Sequence, residues 1–311
     1  MKAEIAKAVK LLKAGRLVAF PTETVYGLGA DASNAEAVAR LYAVKRRPAE
    51  HPVIMHFATA ERAFSWTREV PESAHTLAAR FWPGPLTLIL KRSALARDFV
   101  TGGQDNVGVR VPSHPVAQEL LAAFGSAIAA PSANRFGHVS PTTAAHVHAD
   151  LGADVELVLE GGPSEVGIES TIVDLSHGVA RLLRPGSISA GELEAAMGAP
   201  VGEPAGDAPR HSGGLERHYA PRTPAKLVPT HELDREIARL RDKVAVLAFS
   251  RPDERVDYWL RMPRDPLAYA HKLYAALREL DGAECQALLI EAPPQTPEWT
   301  AVRDRLRRAC G

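Results

Sequence analysis

The sequence predicts an α/β protein of two domains, and three observations support that prediction. Apolar runs of strand length alternate with segments of helical periodicity along the first part of the chain. Residues 199–224 interrupt this alternation with Gly, Pro and charged residues and no periodicity, which is typical of a linker. From Ala225 a second alternation begins, which predicts a small parallel α/β domain. A length of 311 residues also favours two cores over one.

The composition excludes several classes of protein. A chain with 46% apolar and 24% charged residues can bury a core, and a net charge of zero gives no general attraction to polyanions. The two cysteines, Cys285 and Cys310, argue against a disulfide framework and fit a reducing compartment. No apolar window approaches the roughly 20 residues of a membrane span, and no signal peptide is visible. We therefore expect a cytoplasmic protein with no membrane segment.

The most informative stretch is residues 17–31, with the sequence LVAFPTETVYGLGAD. An apolar run of strand length is followed by three polar residues, Thr22 to Thr24, and we predict a loop that Gly27 and Gly29 loosen. Ser33–Glu36 then has the pattern of a capping box that begins a helix. A strand, a polar loop and a helix are the arrangement in which α/β proteins hold small polar ligands, although an ordinary connection is the alternative.

Basic and titratable residues follow this stretch. Lys45 and Arg47 end the next helix, and His56 lies in the apolar strand after it. A solvated helix end is the alternative for the basic residues, but with His56 they would flank the loop of Thr22 as a phosphate-bearing ligand requires. Arg110 stands alone among valines, and its spacing leaves an exposed sheet face and an anion site equally open.

Two further segments combine unusual residue types. Small residues from Ala127 to Ala130 leave room for a ligand near the backbone, and Ser140 or Thr142 could cap the helix that follows. Arg217–Tyr219 places an aromatic residue beside cationic ones at the end of the linker, where a surface turn packed on a domain is the alternative. The second domain has no phosphate-loop pattern, and we interpret it as a lid or scaffold. Spacing alone therefore predicts a polar cleft for an anionic small molecule.

The chain resembles the Sua5/YrdC family, in its two-domain Sua5 form, through eight motifs in the same order. These are FPTETVYGLGADA, KRRP, WPGPLTLIL, VGVRVPSHP, AAPSAN with a later SPT, GIESTIVDL, LLRPGSIS and RHYAP. The resemblance implies a YrdC-like twisted mixed sheet whose helices form a large cleft at 1–198. It also implies a linker at 199–224 that folds over the cleft and a smaller Rossmann-like C-terminal domain at 225–311.

The resemblance also implies an activity. Such enzymes join L-threonine, bicarbonate or CO2, and ATP into threonylcarbamoyl-AMP and pyrophosphate, with Mg2+ accompanying the ATP. The product serves formation of tRNA N6-threonylcarbamoyladenosine, so we expect a threonylcarbamoyl transferase to receive it and tRNA contact to be weak at most.

Site residues carry over from the matching motifs. The resemblance implies that L-threonine is held by Thr22, His56, Arg110 and Ser170, with Arg110 on the carboxylate. It implies that ATP is held by Lys45, Arg47, Asn106, Ser132, Ser140, Arg184, His218 and Tyr219. Lys45, Arg47 and Arg110 would act by positioning and charge stabilisation, and no residue is assigned as the general base.

Two other functions are alternatives. A carbamoyl-adenylate-forming maturation factor with the same fold would carry zinc-finger cysteines, which this chain lacks. An RNA-binding protein would use the basic residues as a groove, against which the zero net charge argues. Within the family pattern, Ser212–Leu215 reads Ser-Gly-Gly-Leu where linkers often read Pro-Gly-Met.

Overall fold

The computed structural model describes residues 1–240 and 243–311, which form two compact units. The first unit comprises residues 1–136, 141–165 and 169–214. The second comprises residues 137–140, 166–168 and 215–311. Each unit is built around a β-sheet of its own.

Within the described residues, a nine-stranded mixed sheet organises the first unit. Its strands are β1 Val18–Phe20, β2 Gly27–Asp31, β3 Ile54–His56, β4 Leu86–Lys91, β5 Asn106–Arg110, β6 Ile128–Ala129, β7 Leu157–Val158, β8 Thr171–Asp174 and β9 Arg181–Arg184. They lie in the order β7-β1-β2-β6-β3-β5-β4-β8-β9, with parallel and antiparallel neighbours. The mixed sheet expected for this part of the chain is confirmed.

Helices pack against the sheet through two apolar cores. They are α1 Lys2–Lys13, α2 Ala35–Lys45, α3 Ala60–Phe64, α4 Glu72–Phe81, α5 Asp98–Thr101, α6 Pro115–Phe124, α7 Ala144–Leu151 and α8 Ala190–Met197. Successive side chains of a strand point to opposite faces, so Leu17 and Ala19 enter the core shared with α2 and α4. Val18 and Phe20 enter the core shared with α1 and α6.

The start of α2 differs from the sequence prediction. Asn34, not Ser33, is the N-cap, and its Oδ1 accepts the backbone N–H groups of Glu36 and Ala37. The Ser33 hydroxyl instead donates to Asp31 at 2.7 Å, a local hydrogen bond that competes with capping.

The start of α7 also differs. Neither Ser140 nor Thr142 caps this helix; the Thr143 hydroxyl accepts the N–H of His146. Thr143 has the extended backbone that an N-cap requires.

The predicted loop after β1 is shorter than expected, because Gly27–Asp31 forms strand β2 antiparallel to β1. A Cβ at Gly29 would lie 2.9 Å from side-chain atoms of both Phe20 and Ile128. The glycine therefore permits close packing of the sheet instead of loosening a loop.

The second unit contains, among the residues described, a four-stranded sheet whose paired strands are all parallel. Its strands are β10 Ala225–Val228, β11 Val244–Ala248, β12 Tyr258–Arg261 and β13 Ala287–Glu291, in the order β10-β13-β11-β12. Its helices are α9 Leu233–Arg239, α10 Pro266–Asp281 and α11 Thr300–Cys310. The predicted small parallel domain is confirmed, although strand β12 was not anticipated.

Among the residues that the structure describes, each helix is too short or too polar to cross a bilayer.

Candidate active site

Polar side chains collect at one end of five adjacent strands of the first unit. His56 and Arg110 are register partners at the ends of parallel β3 and β5, and Thr87 is the partner of Arg110 on antiparallel β4. Ser170 directly precedes β8, and Arg184 ends β9, which is antiparallel to β8. The directions of the strands therefore place these five residues along the same end of the sheet.

Arg110 is buried in an ion pair with Glu23. Its Nη2 donates to Glu23 Oε1 at 2.7 Å and its Nε to the Gly84 carbonyl at 3.4 Å, while Glu23 Oε2 accepts the Ser113 N–H at 3.1 Å. Both side chains are at most 5% exposed, so Arg110 does not lie on an exposed sheet face. Within the described residues, two of its five N–H donors are engaged, which leaves donors for a ligand carboxylate.

Glu23 was not among the predicted site residues. An acidic residue in the middle of the polar loop was a visible signal, but its partner lies 87 positions away in the chain. Only the fold brings the two charges together.

Thr22 shapes the loop that carries Glu23. Its hydroxyl donates to the Val25 carbonyl at 2.6 Å and lies 2.8 Å from the Thr24 hydroxyl. The same oxygen accepts the backbone N–H groups of Thr24 and Val25 at 3.3 Å each, so the Thr22 hydroxyl orders the loop that carries Glu23.

His56 is a neutral imidazole in this environment. Burial, followed by the nearby Arg110 charge, lowers its pKa to about 3. Nδ1 lies 3.2 Å from the Ile54 carbonyl, which assigns the proton to Nδ1 and leaves Nε2 as an acceptor.

Ser170 and Arg184 form the neighbouring part of the site. Arg184 donates through Nε and Nη2 to the carbonyl and the hydroxyl of Ser170, each at 3.0 Å. The Ser170 hydroxyl also lies 2.8 Å from that of Thr87. The same guanidinium reaches the carbonyl of Ser212 through Nη1 at 3.0 Å.

Arg47 approaches Ser212 from a different direction. Its Nη2 donates to the Pro52 carbonyl at 2.7 Å and to the Ser212 hydroxyl at 3.4 Å. Its guanidinium lies 5.2 Å from the ring centroid of Phe136. Two guanidinium groups, those of Arg47 and Arg184, therefore converge on Ser212.

Asn106 begins β5, four residues before Arg110, which corresponds to about 13 Å along a strand. It lines a pocket together with Ile54, Gly108 and the segment 210–212. The pocket thus extends along the face of the sheet away from Arg110.

Lys45 has a mainly internal set of partners. Its Nζ donates to the carbonyls of Ser132 and Asn134 at 2.5 Å each, which ties the end of α2 to the loop after β6. Burial, with a smaller contribution from Arg47, lowers the Lys45 pKa well below its usual range. Ser132 contributes its carbonyl, and not its hydroxyl, to this contact.

The remaining predicted residues, Ser140, His218 and Tyr219, belong to the second unit. There the Tyr219 ring is buried, stacks on Tyr274 at 5.9 Å between centroids and lies 5.2 Å from the guanidinium of Arg305. These contacts match the alternative in which the Arg217–Tyr219 turn packs on a domain. That Ser140, His218 and Tyr219 bind ATP stays a prediction.

Among the side chains that the structure describes, a resident metal centre finds no support. Across residues 1–240 and 243–311, no three His, Cys, Asp or Glu side chains are grouped so that they could hold a metal ion.

Comparison with models of protein families shows which family the chain belongs to. The Sua5/YciO/YrdC family model, described as telomere recombination, matches residues 10–186. The chain belongs to this family. A second model, described as the C-terminal domain of threonylcarbamoyl-AMP synthase, matches residues 188–311. The resemblance inferred from the eight motifs is confirmed.

Individual relatives within the family match along nearly the whole chain. The threonylcarbamoyl-AMP synthase of Pyrococcus abyssi is 38% identical over 99% of this chain and 94% of its own length. That of Bacillus subtilis is also 38% identical, over 99% of this chain and 93% of its own. The crystal structure of P. abyssi Sua5 complexed with L-threonine aligns with a TM-score of 0.93 at 36% identity, over 100% of this chain and 95% of that one.

Proposed function

We propose that this protein is a threonylcarbamoyl-AMP synthase, which joins L-threonine, bicarbonate or CO2, and ATP into threonylcarbamoyl-AMP and pyrophosphate. The observation that carries the proposal is the sheet end in the first unit. There a buried Glu23–Arg110 pair, a neutral His56 and two guanidinium groups around Ser212 lie side by side. Family membership and full-length relatives of that name support the same activity.

The ion pair and His56 match the chemistry of an amino-acid zwitterion. Arg110 has N–H donors for the carboxylate of threonine, and Glu23 beside it offers acceptors for the ammonium group. Nε2 of His56 accepts the threonine hydroxyl, because its Nδ1 proton is held by Ile54. Glu23 thereby joins Thr22, Arg110 and Ser170 in the proposed threonine site.

The reaction needs positioning more than covalent catalysis. The ammonium group of threonine loses a proton, and the resulting amine nitrogen attacks CO2 and gives up a second proton, which gives a carbamate. A carbamate oxygen then attacks the α-phosphorus of ATP in line, and pyrophosphate leaves. A pKa of about 3 makes His56 a weak base for the ammonium proton, so its role is to orient threonine.

The groups around Ser212 suit the nucleotide. Arg47 and Arg184 both contact Ser212 in the structure, and phosphate oxygens are acceptors of the same kind for a planar guanidinium. Lys45 holds the loop of Ser132 in place beside them, and Asn106 lines the adjoining pocket. Mg2+ would accompany the ATP, as the family resemblance implies.

The organisation predicted from sequence is part of the same proposal. Residues 1–198 would form the catalytic domain, 199–224 the linker over its cleft and 225–311 the C-terminal domain. We further propose a cytoplasmic location and transfer of the product to a threonylcarbamoyl transferase.

Pyrophosphate release tests the activity directly. With ATP and bicarbonate, we expect release only when L-threonine is added, with L-serine a poorer substrate because it lacks the methyl group. Mass spectrometry should identify threonylcarbamoyl-AMP as the accompanying product. Release that is independent of threonine would indicate ATP hydrolysis or carbamoyl transfer and would contradict the proposal.

Substitution of one arginine on β9 tests the nucleotide site. Arg184→Lys should raise the KM for ATP about tenfold or more, because an ammonium group cannot reproduce the paired donation to Ser170 and Ser212. Arg181→Lys is the matched control, since Arg181 lies on the same strand but pairs with the exposed Asp207. Equal effects of the two substitutions on the KM for ATP would show that Arg184 is not part of the nucleotide site.

A further inference from the structure

The second unit carries a depression at the carboxyl ends of its parallel strands. Its volume is about 370 Å³, which is within the range of small-molecule sites. Its lining comes from the turns after β10, β11 and β13, together with Arg264 just before α10. The proposed synthase activity uses none of these residues.

The order of the strands explains why a crevice forms at this place. β13 and β11 are adjacent and parallel, but the segments that follow them go to opposite edges of the sheet. From β11 the chain continues to β12 on one side, and from β13 it continues to α11, which packs beside β10 on the other. Loops that diverge in this way open a crevice, and open parallel sheets bind their ligands at such points.

A buried carboxylate faces the crevice. Glu291 is the last residue of β13 and only 5% exposed, and it lines the depression. Its Oε1 accepts the Thr230 hydroxyl at 2.8 Å and its Oε2 accepts the Phe249 N–H at 2.7 Å. Both of these donors are neutral, and a carboxylate has about four acceptor positions. Because burying a charge is costly, a carboxylate whose hydrogen-bond donors among the described residues are neutral suits a ligand that donates hydrogen bonds.

A cation lies at the rim of the same crevice. The exposed Arg264 places its guanidinium 5.3 Å from the ring centroid of Phe249, and its Nη2 donates to the Ser250 hydroxyl at 3.0 Å. A guanidinium that is held over an aromatic ring and exposed to solvent is well suited to a phosphate group.

We propose that this crevice binds a ribonucleoside phosphate. The cis-diol of the ribose donates its two hydrogen bonds to Glu291, and the phosphate pairs with Arg264. Glu291 contacts the backbone of Phe249 whereas Arg264 lies over its ring, so a phenylalanine side chain separates the two charges. An α-amino acid carries both of its charges on one carbon and is too short to reach both Glu291 and Arg264. In a nucleotide, several bonds of the ribose separate the diol from the phosphate. A free nucleotide and the 3′ end of an RNA share this chemistry.

Calorimetric titration of the full chain with AMP tests the site. Apart from AMP binding at the proposed ATP site of the first unit, which both variants should leave unchanged, we expect a binding event that Arg264→Ala and Glu291→Gln each weaken about tenfold or more, since each removes a charged hydrogen-bonding group. Arg261→Ala is the matched control, because Arg261 is exposed in the same unit and does not line the crevice. 2′,3′-Dideoxy-AMP should bind about tenfold or more weakly to the unsubstituted protein.

Two arms distinguish the sources of the ligand. An oligoribonucleotide that ends in a free diol is compared with the same oligonucleotide blocked by a 3′-phosphate. Tight binding of the oligonucleotide with the free end, without tight binding of AMP, identifies the 3′ end of an RNA as the ligand. Tight binding of AMP alone identifies a free nucleotide.

AMP and oligonucleotide binding that neither Arg264→Ala nor Glu291→Gln changes, or full affinity for the dideoxy compound, would overturn the proposal. If the Glu291→Gln variant does not fold, the Arg264→Ala variant tests the proposal by itself, because Arg264 is exposed. Failure of threonine-dependent pyrophosphate release would count against the synthase and not against this crevice.

Discussion

Arg110→Lys should raise the KM for threonine roughly 10- to 100-fold while the KM for ATP changes by no more than about twofold. Lysine keeps a positive charge opposite Glu23 but loses the fork of donors that fits a carboxylate, and charged hydrogen bonds of this kind contribute about 1.5–3 kcal/mol. Initial rates of pyrophosphate release at varied threonine and ATP separate the two constants. Arg68→Lys is the control, because Arg68 pairs with Asp105 at the surface of the same unit.

Arg110→Ala should have a second consequence, which is a loss of stability. It leaves the Glu23 carboxylate buried without its cation, and breaking a buried pair in this way costs about 3–5 kcal/mol. Urea unfolding can follow the first unit through Trp66 and Trp82 once Trp259 and Trp299 are replaced by phenylalanine. A proportional rise in both KM values with Arg110→Lys, or unchanged stability with Arg110→Ala, would contradict the assigned role of the pair.

The second large effect concerns acid stability. The His56 pKa is about 3 in the folded protein against 6.5 for an unperturbed histidine, so between these values the unfolded chain binds a proton that the folded chain does not. The contribution of neutral His56 to the free energy of unfolding should therefore be fully present above about pH 6.5. It should be lost as the pH is lowered towards 3, which costs about 5 kcal/mol from this group alone. The physical cause is the cost of charging an imidazole that is buried and close to Arg110.

Replacement of His56 by glutamine isolates this contribution. His56→Gln should flatten the dependence of the free energy of unfolding on pH between 6.5 and 3, whatever its effect at neutral pH. His148→Gln, at an exposed histidine of α7, should leave the dependence unchanged. If both variants retain the slope of the unsubstituted protein, His56 is not the group that titrates.

Local patterns explain how much of the site was visible in the sequence. His56 and Arg110 stand out because they interrupt apolar strands, and Thr22 because it begins a polar loop; the ordered motifs add Ser170 and Arg184. Ser212 was visible only as a departure from the family linker, although both Arg47 and Arg184 contact it. No local pattern indicated Glu23 as a partner of Arg110, because the loop and strand β5 meet only through the order of strands in the sheet.

The sequence by itself determined the α/β class, the two-part organisation and the family, because these depend on periodicity, composition and motif order along the chain. The tertiary structure alone decided which groups meet and in what state. It paired Glu23 with Arg110, turned Lys45 towards two carbonyls, and made His56 neutral by burying it. It also placed Glu291 in a crevice, since the order of the parallel strands determines where the loops diverge. Burial and long-range register arise when distant segments pack, and no local pattern encodes them.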